Sequence, residues 1–204
     1  MTMSEFVQSE FVQPAFVQPQ FVQTPSQTVG PFYGFALPYE GGPELVNPAH
    51  PAAIRLHGRV IDGAGVGLQD ALVEIWQPDQ NGEISRERGA HEPDGYTFTG
   101  FGRAATTRAG DFTFTTVTPG SVGGEAPYVL ITVFARGLLH HLFTRAYFVD
   151  ESALEALAET DAVLKSVPAD RRSTLVAVAD GPASYRFDIR LQGKGETVFL
   201  DFDA

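Results

Sequence analysis

From residue 54 onward the chain breaks into short runs in which apolar residues alternate with polar ones, and the breaks are made of glycine, proline and aspartate. A period of two puts every second side chain on one face of a strand, so each run can bury only one face and needs partners to do so. Residues 54–61 and 71–76 are divided by Asp62-Gly63-Ala64-Gly65. Residues 96–107, 112–117, 128–135 and 142–148 continue as β-rich runs, divided by Ala109-Gly110-Asp111, Pro119-Gly120 and Arg136-Gly137. Residues 150–164 are rich in alanine, glutamate and leucine behind Asp150, which can cap a helix. Residues 174–179, 185–191 and 197–202 close the chain as strands, the first two joined at Asp180-Gly181-Pro182. So many short strands at this spacing predict an all-β fold, a two-sheet β-sandwich, with an irregular arm at residues 31–51 and a short helical insertion.

Composition bounds the rest. With 204 residues, 43% of them hydrophobic, the chain suits one domain with a substantial core and appendages. A net charge of -11 without any basic run argues against nucleic acid or an anionic membrane surface as partner. No apolar run approaches the roughly 18 residues of a membrane span, and the N-terminus lacks the basic start and apolar stretch of a secretory signal. A cytoplasmic address is therefore expected. The absence of cysteine agrees with it, and excludes disulfides, thiolate metal sites and cysteine nucleophiles.

Residues 1–23 read differently. Phe6, Phe11, Phe16 and Phe21 each open a Phe-Val-Gln triplet, a period of five that matches neither strand nor helix. These residues are expected to be either a disordered tail or an extended arm whose phenylalanines dock on a neighbouring subunit, with residues 24–204 forming the sandwich domain.

Generic catalytic signatures are missing. There is no Gly-x-Ser-x-Gly, and Gly123-Gly124 lacks the strand, helix and lysine of a phosphate loop. The histidines His50, His57, His91, His140 and His141 show no chelating spacing, and the adjacent last two point to opposite faces of a strand. Trp76, at the end of its strand, is expected in the core or an interface.

Specific wording carries more. The chain contains Thr24-Pro-Ser-Gln-Thr-Val-Gly-Pro31, Ala71-Leu-Val-Glu-Ile-Trp-Gln77, Asn81-Gly-Glu-Ile84, Phe101-Gly-Arg-Ala-Ala-Thr-Thr107, Asp111-Phe-Thr-Phe-Thr-Thr-Val-Thr-Pro-Gly120 and Tyr185-Arg-Phe-Asp-Ile-Arg190. In this order they resemble the intradiol ring-cleaving dioxygenases, and the resemblance runs from residue 24 to the end. It implies the transthyretin-like β-sandwich of that family. It also implies Fe(III) chemistry, in which two tyrosine phenolates and two histidines hold the ion, a hard cation suited to anionic oxygen. Matched position by position, the tyrosine after the Asn-Gly turn is Ile84 here, the tyrosine after the Pro-Gly turn is Val122, and the paired histidines behind a proline are Tyr128 and Leu130. No metal site is expected in this chain.

The resemblance is to the alpha type of chain in members built from two kinds of chain. It implies a homologous beta chain carrying the Fe(III), a higher hetero-oligomer, and a site shared between them where protocatechuate meets O2 and is cleaved between its hydroxyls to 3-carboxy-cis,cis-muconate. The isolated chain is expected to be inactive. Thr28, Gly30, Pro31 and Arg136 match the positions that wall the substrate pocket. Glycine admits a flat ring close to the backbone, proline gives a stiff apolar edge, and arginine pairs with a carboxylate. Two other readings stay open: a non-enzymatic transthyretin-like binding or assembly module, and a metalloenzyme whose ligands have moved to His140, His141 or Tyr128.

Overall fold

The computed structural model describes residues 24–87 and 94–202. The Phe-Val-Gln repeats and His91 lie outside the described residues.

Nine strands among the described residues form two sheets. They are β1 (Ala53–Ile61), β2 (Leu72–Trp76), β3 (Phe101–Ala105), β4 (Asp111–Val117), β5 (Tyr128–Phe134), β6 (Leu142–Tyr147), β7 (Val178–Gly181), β8 (Ser184–Arg186) and β9 (Ile189–Arg190). One sheet has the order β4-β1-β8-β7 with β9 also on β1, and the other β3-β2-β5-β6. β8 and β9 run parallel to β1, and the remaining pairs are antiparallel. The predicted two-sheet sandwich is the observed one.

The alternation in the sequence decides which side chains meet between the sheets. Leu56 and Val60 of β1 and Phe112 and Phe114 of β4 pack in one buried cluster with Val73 and Ile75 of β2 and Val129, Ile131 and Val133 of β5. Each fully buried side chain of this kind contributes about 1.5–3 kcal/mol of transfer free energy. Gly58 lies among them because a Cβ there would fall 1.8 Å from the carbonyl oxygen of Phe187. The close approach also shows why residues 185–191 are not one strand. Between β8 and β9 the backbone N–H of Arg59 donates to the Asp188 carboxylate at 3.1 Å, so a side chain replaces a ladder carbonyl.

Three other expected runs differ in extent. Of residues 96–107 only β3 is strand, because Asp94 accepts from the amides of Tyr96 and Thr97 at 2.8 and 2.7 Å and folds that stretch into a local turn. Hydrogen bonding, first from the Thr97 hydroxyl, lowers the Asp94 carboxyl to about 2. Residues 197–202 form a single bridge, Leu200 to Phe143 at the free edge of β6. Residues 174–179 begin in a 3-10 helix (Ala169–Leu175) and become strand only at β7.

The helical insertion is broken in two. A 3-10 turn (Glu151–Ala153) and α2 (Leu154–Leu157) end before α3 (Ala162–Ser166). Asp150 makes no cap, whereas the Asp161 carboxylate accepts from the amides of Val163 and Leu164, both at 3.0 Å, and starts the helix afresh. Leu154, Leu164, Val167 and Leu175 from this region join Tyr147 of β6 in a second buried cluster. A further short helix, here α1 (Tyr33–Ala36), lies in the arm. No helix among the described residues is long and apolar enough to cross a membrane.

Candidate functional site

The arm and the end of β5 build one corner of the molecule together. The strand pairing of β2 with β5 sets Leu72 opposite Phe134, and continuing that register brings Asp70 opposite Arg136. Their side chains form an ion pair through Arg136 Nη2 and Asp70 Oδ2. The arm is fastened over this pair at two points. The Gly137 amide donates to Thr28 Oγ1 at 2.7 Å, and the Tyr33 hydroxyl donates to the Asp70 carbonyl oxygen. Ser26 adds a contact to His140 Nε2 at 3.1 Å.

Thr28 and Arg136 are thus brought to one place, and Gly30 and Pro31 lie between the two fastening points of the arm, both exposed. A Cβ on Gly30 would meet nothing within 4 Å, so the space beside its backbone is open to a flat ring. Phe32, just ahead of α1, and Phe35 within it are 82% and 85% exposed. An arginine beside an open apolar edge can hold an aromatic carboxylate.

Sequence reasoning missed Asp70 and Tyr33. The only sign of Asp70 was its place just ahead of the Ala71 strand, and its partner becomes visible only through the register. Burial, then the negative charge of Asp70, push the Tyr33 phenol up to about 12, with Arg136 acting the other way. The folded chain therefore keeps a proton that the unfolded chain gives up near the ordinary phenol value of 10.0. Tyr33 contributes stability in full below pH 10, and that contribution is lost as the pH rises through about 12. The urea midpoint of the wild type is expected to fall more steeply between pH 9 and pH 12 than that of Tyr33→Phe, and parallel profiles would count against a phenol buried beside the Asp70 charge.

The positions matched to iron ligands lie elsewhere, Ile84 and Val122 in the loops after β2 and β4, and Tyr128 and Leu130 on β5. The turn of residues 79–83 is held against that of residues 119–121, with the Gly120 amide donating to the Asp79 carbonyl at 2.7 Å. Ile84 and Val122 leave these two turns. Tyr128 and Leu130 occupy the face of β5 opposite to buried Val129 and Ile131. Leu130 pairs with Arg145 of β6, and the Arg145 guanidinium carbon stands 3.8 Å from the centre of the Tyr128 ring. The other neighbours of Arg145 are the Tyr147 hydroxyl at 3.2 Å, Glu125 at 3.4 Å and Asp161 at 3.9 Å. Isoleucine, valine and leucine offer no donor atom, and a fixed cation lies on the single phenol. These residues do not fit a ferric ion.

The relocated-ligand reading finds no support in the geometry. His140 is tied to Ser26, and His141 packs between Phe134 and Phe143, with ring centres 5.5 and 4.6 Å away. No group of three or more His, Cys, Asp or Glu residues that could hold a metal stands together among the described residues. Of the two places expected for Trp76, the core is excluded: it is half exposed on the outer face, where its ring lies 4.5 Å from that of Phe101.

Comparison with known proteins places this geometry. A dioxygenase family profile covers residues 30–193. The protocatechuate 3,4-dioxygenase alpha chain of Burkholderia cepacia is 42% identical over 87% of this chain and 96% of its own length. The beta chain from the same organism is 28% identical over 69% of this chain and 64% of its own length. In structure, the dioxygenase domain of a dioxygenase carbohydrate-binding protein fusion from Streptomyces sp. SirexAA-E superposes with a TM-score of 0.53 at 24% identity, covering 83% of this chain and 98% of that one. The chain belongs to the intradiol dioxygenase family.

Proposed function

We propose that this chain is the iron-free alpha subunit of a protocatechuate 3,4-dioxygenase, working in the cytoplasm beside a homologous beta chain that holds Fe(III). The observation that carries the reading is the corner where Thr28 is bonded beside Arg136, in a chain that matches a protocatechuate 3,4-dioxygenase alpha chain over nearly all of that chain's length. The exposed Phe32 and Phe35 at α1 support a second chain against this face, since large apolar side chains in solvent mark contact surfaces.

In this reading residues 24–204 are one sandwich domain, and Thr28, Gly30, Pro31 and Arg136 wall a pocket completed by the partner. Arg136 pairs with the substrate carboxylate and so fixes which edge of the ring faces the partner's metal. The Gly30 backbone lets the ring lie close, and Pro31 and Phe32 keep water from that side. The ring opens between its two hydroxyls and both oxygen atoms of O2 enter the product, 3-carboxy-cis,cis-muconate. No residue of this chain transfers a proton or an electron in that step.

The test is Arg136→Ala in the co-purified two-chain complex. Losing a charge-assisted pair of about 1.5–3 kcal/mol should raise the KM for protocatechuate about 10- to 100-fold while changing kcat much less. An unchanged KM would remove Arg136 from the pocket.

A further inference from the structure

The reading of Arg136 as the carboxylate-binding residue leaves a question of aim. The residue lies in the loop after β5, exposed, at the end of a long flexible stem, and a side chain of that kind binds well only if something orients it before substrate arrives. Resting on that reading, we propose that Asp70 is the positioning residue that aims Arg136.

Asp70 is a firm post. It immediately precedes Ala71, whose amide donates to Thr106 Oγ1 at 3.0 Å, and whose carbonyl accepts from the Thr106 amide at 2.9 Å. On the other side its own carbonyl takes the Tyr33 hydroxyl. Backbone and arm therefore hold Asp70 in place while its carboxylate takes one end of the guanidinium, Nη2. A guanidinium has five N–H groups in a planar fork, so fixing one end turns the remaining donors into a defined direction. The same Tyr33 ties that direction to the arm bearing Gly30 and Pro31. Ring edge and carboxylate anchor are thus set relative to each other by this chain, before any partner contributes.

A carboxylate close to Arg136 has a second consequence, because it partly offsets the charge that attracts substrate. Positioning and competition make opposite predictions, which is what makes the proposal testable. Asp70→Asn keeps the size and removes the anion, and the site is exposed enough for the variant to fold; Asp70→Glu keeps the anion on a longer stem. In the co-purified complex, Asp70→Asn is expected to raise the KM for protocatechuate about three- to tenfold with kcat nearly unchanged. The inhibition constant of catechol, which lacks the carboxylate, should not move. Asp70→Glu should recover most of the loss.

A lower KM in Asp70→Asn would make Asp70 a competitor and overturn the proposal. So would an unchanged KM, or an equal weakening of protocatechuate and catechol, which would signal general loosening. Arg136→Ala measured alongside separates the levels. If it raises the protocatechuate KM and Asp70→Asn does not, only the positioning role fails; if Arg136→Ala has no effect either, the carboxylate reading fails and takes the positioning role with it.

Discussion

Purified without a partner, the chain is expected to carry no stoichiometric iron and to consume no oxygen with protocatechuate. Co-purified with an iron-bearing beta-type chain it should show both, with roughly one iron per alpha-beta pair. The expectation rests on what has taken the place of the ligands. Ile84, Val122 and Leu130 have no donor atom, and Tyr128 lies beneath the Arg145 guanidinium. Adding a triply charged ion beside that cation would cost several kcal/mol even with generous screening. The guanidinium also has its counter-charges, Glu125 and Asp161, so the face is already electrically settled without a metal. Iron content and oxygen uptake on both preparations check the claim. Stoichiometric iron in the lone chain, lost on substituting His140, His141 or Tyr128, would revive the relocated-ligand reading.

How much of this the sequence disclosed depended on the range of the interaction. The sandwich was legible because burial on one face imposes a period of two within each strand, a local signal. The arm's tie to the β5 end was legible only through family resemblance, which named Thr28 and Arg136 without saying how they meet. Asp70 escaped because a cross-strand pair depends on register, and register is set by residues far away in the chain. The helix was misread for a competing local reason. Asp150 and Asp161 are both able to cap, and composition alone does not say which one does; the buried partners of Asp161 decide it. Arg145 was missed because a lone arginine in a strand reads as an exposed side chain unless its counter-ions are known, and here they come from a loop and a helix start.

Asp161→Ala is expected to destabilise the fold by about 3–5 kcal/mol. Its side chain is 0% exposed and performs three tasks at once. Oδ1 caps α3 through the Val163 and Leu164 amides, and accepts from the Tyr147 hydroxyl at 3.1 Å. Oδ2, with no hydrogen bond of its own, faces the Arg145 guanidinium at 3.9 Å. Burial raises the Tyr147 phenol above its ordinary value, so it stays a protonated donor to the carboxylate. A lost cap alone costs about 0.5–2 kcal/mol. The larger figure arises because the truncation strands Arg145, whose side chain is 11% exposed, with only the half-exposed Glu125 opposite it. Asp161→Asn separates the contributions, since its amide oxygen can keep the cap while the charge is gone; it should fall between wild type and alanine. The measurement is the urea or thermal midpoint of each variant in the co-purified complex, with yield recorded. An alanine variant within about 0.5 kcal/mol of wild type, the range of ordinary surface changes, would mean that the buried cluster does not hold α3 to the sheet.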